Sequence, residues 1–487
     1  MTTEEHHRVV IVGAGLGGIG AAVRLFRKGV SDLVILEAAG SPGGTWRVNS
    51  YPGCQCDIPS NLYSLSFAPN AAWSTTFPLQ PEIQDYVLDV TARFDLDKVI
   101  RYHTELRRAR WDATAARWRL TTSAGRLSAD VLVLALGFLS QPFVPPIDGL
   151  DRFRGAAFHS AEWNHGVDLT GRRVAVVGTG ASAVQLIPEI ADRVGHLDVY
   201  QRTPAWVLPH PNRRVTGAER WLYRHLPVSQ TARRALTFVG SEARHAVLTK
   251  PGALNRVARA LGRWNIRRAI RDPDLADRVT PRYELGCKRV LLSNRYYPAL
   301  ARPDVDVIND HVVATTAGGV VSGSGEERPA DVVVFATGFQ VTGRADFARI
   351  HGAGGQDLAA DFAEHGAYLG VTASGFPNLF CIGGPTSGVG HTSFLFMLES
   401  QQAYVADAVA AMAARSWAAV DVRREVQDGY FAEIQRASTD KVWLTGCTSW
   451  FLDGKGRNVA VWPGYSWTFH RRTRRFDPGA YHVVPAR

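Results

Sequence analysis

Two glycine-rich segments of this chain have the residue types and spacing to bind the phosphates of a dinucleotide. The first is Gly13-Ala-Gly15-Leu-Gly-Gly18, after the apolar run 9–12, and the second is Gly178-Thr-Gly180-Ala-Ser182-Ala183, after 174–177. Glycines allow the backbone to approach a pyrophosphate, and the positive end of a helix dipole favours its charge. One such motif is weak evidence, whereas two in the same strand–turn–helix context predict two dinucleotide sites.

A different residue follows each motif at the position that selects the nucleotide. Glu37 ends one strand and Arg202 ends the other, and each lies 24 positions beyond the first glycine of its motif. A carboxylate there accepts hydrogen bonds from a ribose hydroxyl, whereas a guanidinium pairs with a 2′-phosphate. We therefore predict FAD or NAD at the first site and NADPH at the second.

The composition is typical of a soluble, globular protein with two domains. Hydrophobic residues make up 46% of the chain and charged residues 21%, and no apolar run approaches the roughly 20 residues that span a bilayer. The polar N-terminus does not read as a secretory signal. Five cysteines, an odd number in a long chain, indicate a reducing compartment. We expect a cytoplasmic protein without stable membrane insertion, in which Cys287, Cys381 and Cys447 are packing residues.

The net charge of +10 could indicate a nucleic-acid partner, but a different interpretation is favoured. The basic residues are spread through 212–289 and recur at 471–475, without a recognisable nucleic-acid module. Solvated helix faces and counter-charge for two polyanionic dinucleotides explain them better. Cys54 and Cys56 lack the second ligand pair that a zinc site needs. We expect neither a nucleic-acid partner nor a metal.

The elements that must position these motifs form two strand–helix–strand units. Residues 8–40 make one and 172–202 the other. A proline-rich segment at 141–146 predicts an extended crossing between domains. The fold class we predict is α/β, with two nested Rossmann-like dinucleotide-binding domains and a helical insertion in the second. The predicted bounds are 1–141 with 370–487 for the FAD-binding domain, 142–369 for the NADPH-binding domain, and about 212–285 for the helical subdomain.

Three further segments resemble the type I Baeyer–Villiger monooxygenases. They are 43–57, 153–163 and 286–300, and the second contains the family fingerprint Phe-x-Gly-x-x-x-His-x-x-x-Trp as Phe153, Gly155, His159 and Trp163. Asn164 stands where the family has Pro or Asp, and Ala135-Leu136-Gly137 replaces the usual Ala-Thr-Gly. The resemblance continues through 384–399, 449–450 and 471–478, so it covers essentially the whole chain.

The resemblance implies an enzyme that uses FAD, NADPH and O2. In this family NADPH reduces the flavin, oxygen adds to give a C4a-peroxyflavin, and this species attacks a ketone to give an ester or lactone. The implied partners are O2 and a small-molecule ketone or heteroatom substrate.

The resemblance also implies roles for individual residues. Arg289 matches the catalytic arginine and Asp57 the carboxylate that places it. An arginine suits a site that needs a permanent positive charge. Lys288 and Arg202 match contacts to the NADPH phosphate, and Trp450 matches a tryptophan on a mobile loop. Phe153, Gly155, His159 and Trp163 are expected to act on conformation rather than in acid–base chemistry. The expected cofactor-binding residues are Gly13, Gly15, Gly18, Glu37, Gly44, Thr45, Trp46, Tyr51, Asp57, Gly178, Gly180, Ser182, Gln185, Arg202, Thr203, Lys288, Thr337, Gly338 and Trp450.

Three alternatives remain open at this point. Oxygenation at sulfur or nitrogen uses the same cofactors, although the Asp57 and Arg289 combination favours ketones. A disulfide reductase is disfavoured because only one residue separates Cys54 from Cys56. A redox-sensing module that binds dinucleotides would need neither Asp57 nor Arg289.

Overall fold

Strands and helices alternate along most of the chain. The structure is a computed structural model, and it describes residues 4–341, 344–447 and 449–486. The strands are β1 (Glu5–Val12), β2 (Leu33–Leu36), β3 (Ile100–Arg101), β4 (Leu106–Asp112), β5 (Arg117–Thr122), β6 (Gly125–Leu134), β7 (Ala156–His159), β8 (Arg173–Val177), β9 (His196–Tyr200), β10 (Val207–Leu208), β11 (Leu291–Leu292), β12 (Val305–Ile308), β13 (Val312–Thr315), β14 (Gly319–Ser322), β15 (Glu327–Pro329), β16 (Val332–Phe335), β17 (Ile350–His351), β18 (Leu379–Cys381), β19 (Trp417–Val422) and β20 (Tyr481–Pro485). The helices are α1 (Leu16–Arg27), α2 (Thr45–Val48), α3 (Gln80–Arg93), α4 (Ala181–Ile190), α5 (Gly217–His225), α6 (Pro227–Thr249), α7 (Ala253–Ala269), α8 (Pro273–Arg278), α9 (Tyr296–Leu300), α10 (Leu358–His365), α11 (Phe394–Ala414), α12 (Arg424–Ser438) and α13 (Ser466–Thr473).

The first glycine motif follows a central strand of the larger sheet. Its strand order is β17-β4-β5-β6-β1-β2-β3, and β18 pairs with the C-terminal half of β6. β1 runs parallel to both β2 and β6. Val9 and Ile11 pack into one buried cluster with α1, whereas Val10 packs into a second cluster with β4 and β5. Because both faces of β1 are covered, its sequence is a continuous apolar run rather than an alternating one.

The second glycine motif follows a central strand of a smaller, wholly parallel sheet. Its order is β12-β9-β8-β16-β7. Val174 and Val176 join the same cluster as Val9, and Ala175 and Val177 pack on the opposite face. The larger sheet is mixed, because β5 runs antiparallel to β4 and β6, and the smaller sheet is parallel; with their flanking helices they confirm the predicted α/β class.

Two segments carry the chain between the sheets, and they lie side by side. Phe143 N donates to Gly338 O at 2.9 Å, and Gln340 N donates to Gln141 O at the same distance. The return to the larger sheet comes earlier than the predicted residue 370, because Ile350 in β17 already pairs with Ala109 in β4. This edge strand has only two residues, so it is too short to be recognised from an apolar pattern in the sequence. We therefore place the second crossing between β16 and β17.

The helical insertion leaves the smaller sheet through β10 and returns through β11, which pair in parallel. Local sequence signals explain where its helices begin. Thr216 accepts from Glu219 N at 3.1 Å and Glu219 accepts from Thr216 N at 3.0 Å, which forms a capping box before α5. Pro227 opens α6 at a position where its missing N–H costs nothing. Throughout the three described ranges, no helix combines the length and apolarity needed to cross a bilayer.

Candidate active site

Both glycine motifs open into one cavity of about 1600 Å³ between the two sheets. This volume exceeds the roughly 300–1,000 Å³ of a pocket for a single drug-sized ligand. All the predicted catalytic and cofactor-binding residues except Gly18 line it. The fingerprint residues Phe153, Gly155, His159 and Trp163 do not. Apart from Gly18, the predicted catalytic and cofactor-binding residues therefore line the cavity, whereas the fingerprint residues lie outside its lining.

The first glycine of each motif is required by the close approach of a neighbouring chain segment. Gly13 has φ 104° and Gly178 has φ 113°, which is backbone that favours glycine. A Cβ on Gly13 would lie 2.6 Å from Ala135 O, and one on Gly178 would lie 2.5 Å from Ala336 O. The two motifs thus share one geometry at equivalent places in the two sheets.

Gly18 serves packing rather than the cavity. A Cβ at this position would lie 1.9 Å from Gly13 O, so a side chain would push α1 away from β1. This is the role of the third glycine in such motifs, which allows close helix–strand contact. Its assignment as a direct cofactor contact is not supported by its position.

The N-termini of α1 and α4 face the cavity with open backbone donors. Gly15 and Gly180 are the cap residues, neither first turn contains an acidic residue, and no side chain of the described residues caps either helix. The first N–H groups of a helix lack intrahelical acceptors and carry a partial positive charge. Each terminus therefore fits an anionic group such as a diphosphate.

The nucleotide-selecting residues of the two motifs differ in structure as well as in charge. Glu37 is held at the end of β2, because its Oε2 accepts from Ala14 N at 2.8 Å and its Oε1 from Ala39 N at 2.9 Å. Each carboxylate oxygen retains a second lone pair that can accept from a ribose hydroxyl.

Arg202 and Lys288 form a pair of cations on the other side of the cavity. Burial, together with the nearby charge of Arg202, lowers the pKa of Lys288. The Lys288 Nζ lies 5.3 Å from the centre of the Tyr283 ring. Neither cation has an acidic partner within 4.0 Å among the residues that the structure describes. Two neighbouring cations without a carboxylate suit a dianionic phosphate.

Asp57 and Arg289 form a bidentate ion pair in the cavity wall. Arg289 Nε donates to Asp57 Oδ2 at 2.8 Å, and Arg289 Nη2 donates to Asp57 Oδ1 at 2.6 Å. The charge of Asp57 raises the pKa of Arg289 above its ordinary value, so the guanidinium stays protonated. The Arg289 side chain is 35% exposed, and Arg289 is one of the residues that line the cavity. Nη1 has no protein acceptor within the described ranges, so it can donate to a group bound there.

The 43–57 segment is joined to the second unit through Gln185. Tyr51 Oη donates to Gln185 Oε1 at 2.8 Å, and Gln185 Nε2 donates to Gln55 O at 2.9 Å. Gln185 lies on α4, directly after the second glycine motif. Its amide therefore links the Asp57 segment to the second glycine motif, and because Gln185 also lines the cavity, its expected contact with a cofactor stays a prediction.

Trp46 also supports this segment from within. It is buried, and its Nε1 donates to Tyr63 Oη at 2.9 Å. The two rings meet edge to face with centroids 5.5 Å apart. Thr45 is the first residue of the short helix α2 and lines the cavity. Because Trp46 follows it directly, the contact between Trp46 and Tyr63 helps to hold Thr45 in place.

His159 lies behind the cavity and supports the second crossing. Its Nδ1 accepts from Ala161 N at 3.1 Å, and its ring meets Phe339 edge to face at 5.6 Å. Burial lowers the pKa of His159, so the ring is neutral near pH 7. Trp163 packs edge to face on Phe158 at 5.2 Å. These contacts connect the fingerprint to the segment that includes Thr337 and Gly338.

An aromatic wall beside Trp450 was not predicted from the sequence. The Trp450 ring stacks on Phe138 with centroids 6.2 Å apart, and Phe138 meets Phe394 edge to face at 4.8 Å. Trp450 is 41% exposed. A signal was present, since Gly137-Phe138 after β6 parallels Gly338-Phe339 after β16. Each crossing segment thus places a phenylalanine at a strand end.

The expectation that Cys287 and Cys447 are packing residues is wrong. They form a disulfide with Cα atoms 6.3 Å apart. The bond joins the segment of Lys288 and Arg289 to the segment of Trp450. A separation of 160 residues along the chain conceals this pairing from sequence spacing.

The remaining cysteines are unsuited to dithiol chemistry. Cys54 and Cys56 are free and buried. Burial raises the pKa of Cys54 to about 12 and raises that of Cys56 well above its usual range. Because the thiolate is the reactive form, these thiols would be unreactive near pH 7. This geometry disfavours a disulfide reductase.

One group of possible metal ligands in the described part of the chain does not belong to the cavity lining. His196, Asp198 and Asp306 come together on the smaller sheet. Arg328 Nη1 donates to Asp198 Oδ1 and to Asp306 Oδ2, at 2.8 Å each. The guanidinium already balances both carboxylates, so we interpret the group as an ion-pair network.

Comparison with known proteins places the chain in a family. Residues 10–218 match the family model described as pyridine nucleotide-disulphide oxidoreductase. A Baeyer–Villiger monooxygenase from Streptomyces coelicolor is 46% identical over 99% of this chain and 93% of its own length. A Baeyer–Villiger monooxygenase from Pseudomonas aeruginosa is 42% identical over 98% and 92%. This chain belongs to the Baeyer–Villiger monooxygenase family.

Solved structures agree with this placement. A closed crystal structure of cyclohexanone monooxygenase is 28% identical, with a TM-score of 0.88 over 99% of this chain and 100% of the other. An oxidised steroid monooxygenase bound to NADP is 30% identical, with a TM-score of 0.87 over the same shares. The Rossmann-type fold and the enzyme class that the sequence predicted are confirmed.

Proposed function

We propose that this protein uses FAD, NADPH and O2 to convert a ketone into an ester or lactone. The observation that carries the proposal is the single cavity lined by both glycine motifs and by the Asp57–Arg289 pair. The names of the full-length relatives support the reaction class.

The residues present fit one dinucleotide at each motif. The α1 terminus with Glu37 and Thr45 would hold the diphosphate and ribose of FAD. The α4 terminus with Arg202 and Lys288 would hold NADPH, since two cations balance a 2′-phosphate that NADH lacks. When bound, NADPH supplies the electrons and FAD supplies the activation of oxygen.

Arg289 would provide fixed positive charge where negative charge develops. Attack on a ketone carbonyl places negative charge on the carbonyl oxygen, and a preorganised N–H donor stabilises that charge. Asp57 holds two of the guanidinium nitrogens of Arg289 and leaves Nη1 available as a donor. Asp57 therefore acts as a positioning residue, and Arg289 touches the reacting atoms.

Trp450, Phe138 and Phe394 would exclude water from the reacting end of the cavity. Their stacked and edge-to-face contacts form an apolar wall. Excluding water strengthens the interaction between the guanidinium and a developing charge. Trp450 is 41% exposed, and we expect its ring to move when a substrate enters.

Product analysis tests the proposal against heteroatom oxygenation. Purified holoenzyme would be supplied with NADPH and air, together with either cyclic and linear ketones or aryl alkyl sulfides of similar size. We expect esters or lactones in step with NADPH consumption. Sulfoxides alone, with no ester from any ketone, would contradict the proposal. Arg289→Ala serves as the matched control, because it should retain flavin and lose ester formation.

A further inference from the structure

The helical insertion presents a surface that the oxygenation chemistry does not use. Six large apolar side chains are more than 60% exposed among the described residues, and all six lie between positions 221 and 257. They are Trp221, Val228, Leu236, Val239, Leu254 and Val257. Exposed apolar groups that gather in one region mark interaction sites, whereas isolated ones need no explanation.

On α6 these side chains form a continuous stripe. Val228, Leu236 and Val239 recur at helical spacing, and the exposed Ala232 and Ala243 fill the intervening turns. The buried residues of α6, which include Ser241 and His245, lie on the other side of the helix. The stripe therefore points away from the body of the protein.

The next helix repeats the arrangement. Leu254, Val257, Leu261 and Trp264 are exposed along one side of α7, and Ile266 is buried on the other. α6 packs against both α5 and α7, so the stripes lie on neighbouring helices. An amphipathic helix normally turns its apolar stripe toward the core. Here each stripe faces solvent, which indicates that something outside this chain covers it.

The same segment carries the positive charge of the protein. Residues 213–271 contain thirteen arginines and one lysine against two glutamates, while the net charge of the whole chain is +10. The remainder of the chain is therefore slightly acidic. Arg263, Arg267 and Arg268 are exposed on α7, and the Arg268 guanidinium lies 5.3 Å from the Trp264 ring centre. Cationic and apolar groups thus alternate on one surface.

We propose that the outer face of α5, α6 and α7 docks on an anionic lipid membrane. Helices that combine an apolar stripe with arginines lie in the interface of such a membrane, with the stripe among the acyl chains and the cations at the lipid phosphates. A second copy of the chain would bring the same positive charge against itself. A nucleic acid would leave the valines and leucines without an apolar partner. The contact is peripheral, since no helix in the described ranges can span the bilayer.

Vesicle flotation with the holoenzyme tests the docking directly. The probes are vesicles of phosphatidylcholine alone and vesicles that also contain phosphatidylglycerol. We expect binding to the anionic vesicles, weak binding to the neutral ones, and release as added salt screens the charges. Equal binding to both, or none to either, would overturn the proposal.

Paired variants locate the surface. Leu236→Glu with Val239→Glu should lower the bound fraction at least about tenfold, because two apolar side chains can no longer be buried. Leu88→Glu with Val484→Glu makes the same chemical change at side chains that are 41% and 52% exposed elsewhere, and it should leave binding intact. NADPH oxidation should be unchanged in both, which shows that the variants fold.

A second set of variants tests the contribution of the arginines separately from that of the apolar side chains. Arg263→Gln, Arg267→Gln and Arg268→Gln together should weaken binding to anionic vesicles and flatten its salt dependence. Arg471→Gln, Arg474→Gln and Arg475→Gln remove the same charge from α13 and the residues that follow it, and they serve as the control. Equal effects of the two triples would contradict docking through α7. Self-association in the absence of lipid, abolished by Leu236→Glu, would replace the membrane with a second copy of the chain.

Discussion

A double-variant cycle on Asp57 and Arg289 distinguishes a positioning role from a catalytic one. The single variants are Asp57→Ala and Arg289→Ala, and the third protein carries both changes. If Asp57 acts only through the guanidinium, its removal has no effect once Arg289 is gone. The doubly substituted enzyme should then be as slow in ketone oxygenation as Arg289→Ala, and no slower.

The expected magnitudes follow from the geometry of the pair. Arg289 is a preorganised donor, and removal of one such donor costs about 10²–10³ in rate. The two charge-assisted hydrogen bonds, at 2.8 and 2.6 Å, would each contribute about 1.5–3 kcal/mol if fully buried. Exposure of 35% for Arg289 and 23% for Asp57 reduces this by screening. We therefore take about 2 kcal/mol for the pair, which corresponds to roughly a 30-fold loss for Asp57→Ala.

The assay measures ester formation with saturating NADPH, alongside anaerobic reduction of the flavin by NADPH in the same four proteins. Flavin reduction should remain within a few-fold of the parent throughout, because neither side chain belongs to the Arg202 and Lys288 pair. Additive losses in the cycle, with Asp57→Ala still costing about 30-fold in the Arg289→Ala background, would refute the positioning role.

Three further predictions address the nucleotide site and the disulfide. Arg202→Ala should raise the KM for NADPH by about 10–100-fold through loss of a charge-assisted contact, and it should leave the KM for NADH nearly unchanged; equal increases would exclude the phosphate contact. Burial and the charge of Arg202 lower the pKa of Lys288, so its ammonium group loses its proton below the ordinary pKa of 10.5. NADPH binding should therefore weaken as the pH rises through the lowered pKa of Lys288. A pH series of the KM should show the rise in the parent enzyme and not in Lys288→Arg, which keeps its charge. Cys447→Ser should lower the free energy of unfolding by about 2–4 kcal/mol, since it opens a loop of 160 residues; denaturation with and without reductant should differ in the parent enzyme and coincide in the variant.

Most of the fold and much of the site could be predicted because short-range patterns encode them. The runs that became β1 and β8 are apolar throughout because both of their faces are buried, and the glycines after them mark close backbone approaches. Glu37 and Arg202 follow from spacing alone. The structure brings all of these to one cavity, although the assignment of each to a cofactor remains a prediction.

The features that were not predicted depend on contacts between distant parts of the chain. The Cys287–Cys447 bond spans 160 residues, and neither cysteine lies in a spacing typical of disulfides. β17 pairs with β4 across more than 200 residues and has only two residues to show a pattern. The contacts of Gln185 with Tyr51 and Gln55 were not predicted either, because no local pattern reveals them. Sequence spacing detects residues that share a turn or a strand, and it does not detect partners joined only by the tertiary fold.

Isotope labelling gives the most direct test of the proposed reaction. The holoenzyme would convert a ketone under ¹⁸O₂ in unlabelled water, with mass spectrometry of the product and a parallel measurement of NADPH consumed. We predict one ¹⁸O atom in each ester or lactone and one product molecule per NADPH. An unlabelled ester, or NADPH consumption without any ester from a broad set of ketones, would contradict the assignment.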